Sequence, residues 1–125
     1  MTDLRPNSVL ILEDEALVSL MLEDLVREMG ARVIDVFGAA SEALRAIAAQ
    51  HYDLAVLDVV VRDGMSTAVA DALDERGIPF LFSSAMGPDD LEARHRDRPL
   101  VTKPFEDSVL RGHLAALLPP RSLAV

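Results

Sequence analysis

The chain has 125 residues, half of them hydrophobic and about a quarter charged, with 12 basic against 21 acidic residues for a net charge of −9. That length suits one domain with a real core, and the acidity argues against partners that need clustered Lys and Arg, namely nucleic acid and anionic membrane surfaces. The absence of Cys removes disulfides and thiolate chemistry and fits a cytoplasmic protein, while no apolar run approaches the roughly 18 residues of a membrane span and the first six residues lack the features of a signal peptide.

Val9, Leu10, Ile11 and Leu12 form a short apolar run ending at Glu13 and Asp14, which reads as a strand buried on both faces. Leu17, Leu20, Met21, Leu25 and Met29 then recur at helical spacing up to Gly30, predicting a helix with Met21 and Met29 in its core face. Residues 32–36 predict a second strand, Gly38 a turn, and the Ala-rich stretch 41–50 a second helix with Leu44 and Ile47 on one face. Leu54, Ala55, Val56 and Leu57 run into Asp58 as a third strand. Asp63 and Gly64 signal a turn, and Ala68, Val69, Ala72 and Leu73 mark a third helix ending before Gly77.

Pro79 opens a fourth strand of Phe80, Leu81 and Phe82, which leads to Ser83 and Ser84. Residues 85–98 are punctuated by Gly and Pro and crowded with charge, leaving room for a helical turn or two. Arg94, Arg96 and Arg98 alternate there with acids and read as a solvated loop. Leu100, Val101 and Thr102 make a short fifth strand before Lys103 and Pro104. Residues 105–118 form a last helix, with Glu106 and Asp107 in its first turn and a Pro pair closing it. His51, His95 and His113 are dispersed, and each reads as a surface or partly packed side chain rather than a metal ligand.

Five strands alternating with helices predict a parallel sheet with helices on both faces. No G-x-G-x-x-G and no Walker loop is present, which disfavours dinucleotide and P-loop binding. In an open α/β sheet, chemistry gathers at the carboxyl ends of the strands. Those ends carry Glu13, Asp14, Asp58, a Ser83-Ser84 pair and Lys103. Carboxylates crowded together repel unless a cation sits among them. Mg²⁺ suits such an all-oxygen donor set. A carboxylate can also be the nucleophile that accepts a phosphoryl group, with an ammonium and a metal neutralising the phosphoryl oxygens.

Taken together, Val9 to Glu15, Leu57-Asp58, Ser84-Ala85 and Lys103-Pro104-Phe105 resemble the receiver domains of two-component response regulators, over residues 8–118. The resemblance implies a flavodoxin-like α/β fold with strand order 2-1-3-4-5, in one domain without an output domain. It implies Asp58 as phosphoacceptor, Asp14 as direct Mg²⁺ ligand, Glu13 acting through water, and the Val60 backbone carbonyl completing the protein's ligands. Ser84 would be the switch hydroxyl, preferred over Ser83 because Ala85 follows it. Lys103 would pair with the phosphoryl group, and its bond to Pro104 would be cis. The donor would be a sensor histidine kinase, a phosphotransfer protein or a small acyl phosphate.

Three features depart from the common pattern. Residues 59–64 form a shorter, Pro-free loop, Leu100 stands where an aromatic switch residue is common, and the short interval from Ser84 to Lys103 shrinks or removes the fourth helix. These traits resemble single-domain receivers with a degenerate fourth helix. Val60 and Met86 are apolar and cannot position a hydrolytic water, so self-dephosphorylation should be slow, and the chain is read as no enzyme beyond this self-catalysed chemistry. An aspartyl-phosphate phosphatase would want a second Asp two residues after the nucleophile, where Val60 stands. A pseudo-receiver that never takes phosphate is opposed by the complete set of Asp14, Asp58, Ser84 and Lys103. The output would be either partner binding, with no nucleic acid or membrane involved, or a phosphate sink.

Overall fold

The computed structural model describes residues 7–85 and 91–117. Met86 and the acids beside it lie outside those residues. The described elements run β1 (Ser8–Leu12), α1 (Ala16–Glu28), β2 (Val33–Phe37), α2 (Ala40–Ala49), β3 (Leu54–Asp58), β4 (Val60–Val61), β5 (Gly64–Met65) and α3 (Thr67–Glu75). They continue with β6 (Phe80–Ser84), a 3-10 turn (Ala93–His95), β7 (Leu100–Thr102) and α4 (Asp107–Leu117). Five strands pair in parallel in the order β2-β1-β3-β6-β7. With the two-residue strands β4 and β5 set aside, this is the expected 2-1-3-4-5 order.

Every residue of β1, β3 and β6 is buried, which is why these segments read as continuous apolar runs. Alternation along the strands sends their side chains into two cores. Leu10, Leu12, Leu57, Phe80 and Phe82 pack with Ala43 and Ile47 of α2 and with Val69 and Leu73 of α3. Val9, Ile11, Val56, Leu81 and Val101 pack on the other face with Leu22, Leu25 and Val26 of α1 and Leu110 and Leu114 of α4. Helices therefore cover both faces.

The buried stripe of α1 differs from the predicted one. Leu22, Leu25 and Val26 are buried, with Val18 and Met29 packed beside them. Leu17, Leu20 and Met21 face outward at 78%, 55% and 46% exposure. Apolar residues cover so much of this helix that two stripes satisfy the helical spacing, and the sheet takes only one.

The three His expectations also divide. His51 and His113 are exposed, but His95 is fully buried. Its Nε2 lies 2.8 Å from Oδ1 of Asp71 on α3, and its ring meets Phe80 and Phe82 edge-on. Arg94 grips the same Asp71 through two hydrogen bonds of 2.9 and 2.7 Å, and Arg98 bonds Asp74 while lying over the Phe80 ring. Arg94 foremost holds the Asp71 carboxyl down to about 2. Two of the three arginines expected in a solvated loop thus pin the β6–β7 connection to α3, while Arg96 donates to the Leu91 carbonyl at 3.1 Å within it. Among the described residues, that connection contains a single 3-10 turn in place of a fourth helix.

The amino end of the sheet is closed by hydrogen bonds. Asp53 accepts the N–H groups of Asn7 and Ser8 at 3.0 and 3.1 Å. The buried Tyr52 hydroxyl donates to Asp35 at 2.6 Å and accepts from Gln50 at 2.5 Å. No helix among the described residues is long and apolar enough to cross a membrane.

Candidate functional site

Parallel pairing delivers the strand ends to one edge. Leu12 pairs with Leu57, Asp58 with Ser83, and Ser84 with Thr102, so the residues just beyond β1, β3, β6 and β7 meet there. Backbone bonds carry the ladder one residue past β1 and β7. Glu13 N–H donates to the Phe37 carbonyl at 2.8 Å, and Lys103 N–H donates to the Ser84 carbonyl at 2.7 Å. The Lys103–Pro104 bond is cis.

Glu13, Asp14 and Asp58 each offer a carboxylate oxygen, and these oxygens lie within 4.8 Å of one another. Glu13 and Asp58 are buried, while Asp14 faces outward. The Lys103 ammonium sits 2.7 Å from Glu13 Oε1, 3.0 Å from Asp58 Oδ2 and 3.6 Å from Glu15 Oε1. Burial raises the Glu13 carboxyl above its usual range, and the Asp58 charge adds to this, against Lys103 and the Glu15 N–H, which donates to Glu13 Oε2 at 3.1 Å. Burial alone would lower Lys103, but its hydrogen bonds to Glu13 and Asp58 outweigh that and hold it above its ordinary value. One cation is thus shared by more carboxylates than it neutralises, in a donor set of hard oxygens that suits a divalent ion such as Mg²⁺.

The serines sit side by side and both are buried, Ser83 opposite Asp58 and Ser84 opposite Thr102. The Ser83 hydroxyl has no hydrogen-bond partner. Leu100 is half-buried at the start of β7, opposite Phe82 and against the α2–α3 core. Val60 opens β4 and is 43% exposed. Residues 60–65 form a hairpin, with Val60 opposite Met65 and Val61 opposite Gly64, where the sequence predicts only a turn.

Two contributors escape the sequence reading. Glu15 adds a third acid near Lys103, and its only sequence signal is its place directly after Glu13 and Asp14. Asp63 reaches across to the start of α2, where it accepts Ala40 N–H at 2.6 Å and Ser41 N–H at 3.1 Å. Beside the carboxylates, Val18, Met21, Ala85, Pro104 and Phe105 line a groove of 360 Å³, bounded by Glu15 and Lys103.

No family model matches the chain. It is 32% identical over 125 residues to the transcriptional regulatory protein PdtaR of Mycobacterium tuberculosis, covering 96% of this chain and 57% of that protein. The chain therefore spans little more than half the length of this curated relative. The solved structure of SdrG from Sphingomonas melonis Fr1 matches with a TM-score of 0.77 at 38% identity, covering 94% of this chain and 98% of that one. The receiver domain of the PhyR response regulator from Erythrobacter litoralis matches with a TM-score of 0.74 at 33% identity, covering 94% and 96%. With near end-to-end matches of this kind, the same sheet order and acids and lysine gathered at one edge, the chain belongs to the receiver-domain family of response regulators.

Proposed function

We propose that this receiver accepts a phosphoryl group on Asp58 in a Mg²⁺-dependent reaction and signals by phosphorylation-dependent partner binding or by draining phosphate from a kinase. The observation that carries this is the sharing of Lys103 between Asp58 and Glu13, at 3.0 and 2.7 Å, beside a cluster of three carboxylates. Glu13, Asp14, Asp58 and the Val60 carbonyl would hold the ion, Glu13 through water. When bound, the ion supplies positive charge to the phosphoryl oxygens.

The chain's own residues do the rest. A carboxylate oxygen of Asp58 attacks phosphorus while the bond to the donor's nitrogen or acyl oxygen breaks. Lys103, already aimed at Asp58, stays paired with the charge that appears on the transferred group. Ser84, at the end of β6, offers a hydroxyl to the new phosphoryl group and couples it to the β6–β7 connection. Leu100 leaves the aromatic part of that coupling out. The apolar groove of Met21, Pro104 and Phe105 beside Lys103 supports docking of a histidine kinase or phosphotransfer protein there, since the donor has to reach Asp58 from that rim. The apolar Val60 supports slow self-dephosphorylation, and the absence of Cys supports a cytoplasmic setting.

Intact mass after incubation with acetyl phosphate and Mg²⁺ tests the reading. We expect one added phosphoryl group on the wild type and none on Asp58→Asn or without Mg²⁺. No adduct from acetyl phosphate or from a phosphohistidine donor would replace the reading with that of a pseudo-receiver.

A further inference from the structure

The loop after Asp58 is short and lacks proline, and something other than its own stiffness has to hold it. It is fastened to the β2–α2 turn at three points. Arg62 N–H donates to the Gly38 carbonyl at 3.1 Å. The Arg62 guanidinium covers Gly38, where a Cβ would strike it, and lies 3.8 Å from Glu42. The Asp63 carboxylate takes the first two N–H groups of α2, from Ala40 and Ser41, at 2.6 and 3.1 Å. Helix α2 has no cap of its own, because its N-cap residue is Ala39. These bonds draw the Asp63 carboxyl below its usual range, led by the Ser41 N–H.

Asp63 sits in the two-residue turn between β4 and β5, and Val60 lies at the other end of the same hairpin. A rigid hairpin fixed at its tip fixes its base. We propose that Asp63 is a positioning residue for the divalent-cation site, holding the Val60 carbonyl in register with Asp58 by anchoring the hairpin to α2. The inference rests on the cation-site part of the reading above and adds a residue to it. Groups that orient a metal's ligands without touching the metal typically alter its affinity by about 10–100-fold when removed.

Helix capping and loop positioning are separable. Asp63→Ala removes both roles, and adding Ala39→Ser to it returns a local cap to α2 without reconnecting the hairpin. Mg²⁺ affinity would be read by amide chemical shifts in a titration, alongside the thermal midpoint. We expect Asp63→Ala to bind Mg²⁺ roughly 10-fold more weakly. We expect the double variant to recover thermal stability while Mg²⁺ binding stays weak. Affinity unchanged in Asp63→Ala, or restored together with stability in the double variant, would overturn the proposal and leave Asp63 as a helix cap only. A wild type that binds Mg²⁺ normally but takes no phosphoryl group would break the phosphoacceptor reading and leave this positioning role standing. A wild type that binds no Mg²⁺ would overturn both.

Discussion

The two ends of the sheet handle their polar groups in opposite ways. At the amino end, Asp53 is satisfied by two backbone N–H groups and by His51, and Tyr52 is bonded to both Asp35 and Gln50. Burial opposes the drop at Asp53, yet the N–H groups of Ser8 and Asn7 and the His51 contact together pull its carboxyl below the ordinary value. Burial, then the Asp35 carboxylate, pushes the Tyr52 phenol up to about 12. At the carboxyl end, Glu13 is raised, one ammonium serves several acids, and the Ser83 hydroxyl has no partner. In the first arrangement each polar group has its partners. The second keeps unsatisfied charge and a free hydroxyl in reserve, which fits the proposed function.

Substitutions at each end can break this contrast. The largest effect belongs to Lys103→Gln, which deletes the ammonium shared by Glu13 and Asp58. Phosphoryl acceptance from acetyl phosphate, followed by mass, should slow by about 100-fold. A rate within a few-fold of wild type would mean that the ammonium shared by Glu13 and Asp58 contributes nothing to phosphoryl acceptance. Next comes Tyr52→Phe, which removes a buried hydroxyl with two partners. Unfolding in urea should show a loss of about 1 kcal/mol, with phosphoryl acceptance untouched.

The smallest effect is at Asp53, whose side chain is 36% exposed, so that water screens much of its contribution. Its carboxyl is lowered by folding, so its contribution is fully present above the unfolded value of 3.8 and disappears as pH falls through the lower folded value. Asp53→Asn should therefore cost about 0.5 kcal/mol at pH 7, and the difference from wild type should vanish as acid protonates the folded carboxyl. A difference that persists undiminished in acid would show that charge is not what holds this end together.

Most of the fold was readable because its signal is local. Fully buried strands announce themselves as unbroken apolar runs, and β7 falls on the three residues expected. The hairpin of β4 and β5 was not readable, since two-residue strands carry no periodicity. On α1, residues 17, 20 and 21 and residues 18, 22, 25 and 29 both satisfy a helical stripe, and only the neighbouring strands decide between them. At the site, Glu13, Asp14, Asp58, the serine pair and Lys103 were legible from their places at strand ends. The reach of Asp63 to Ala40 and the burial of His95 against Asp71 join residues 23 and 24 positions apart, and no local pattern encodes such contacts.

The attachment of the β6–β7 connection has one more consequence. Other crossovers in the molecule cling to the sheet by the apolar face of a helix, an adhesion that charge screening does not weaken. This one adds to the buried Leu91 and His95 two exposed ion pairs, Arg94 to Asp71 and Arg98 to Asp74, with arginine side chains 56% and 40% exposed. Screening weakens such exposed pairs. Ionic strength therefore acts unevenly on this connection, loosening its ion pairs while the packing of Leu91 and His95 beneath them holds.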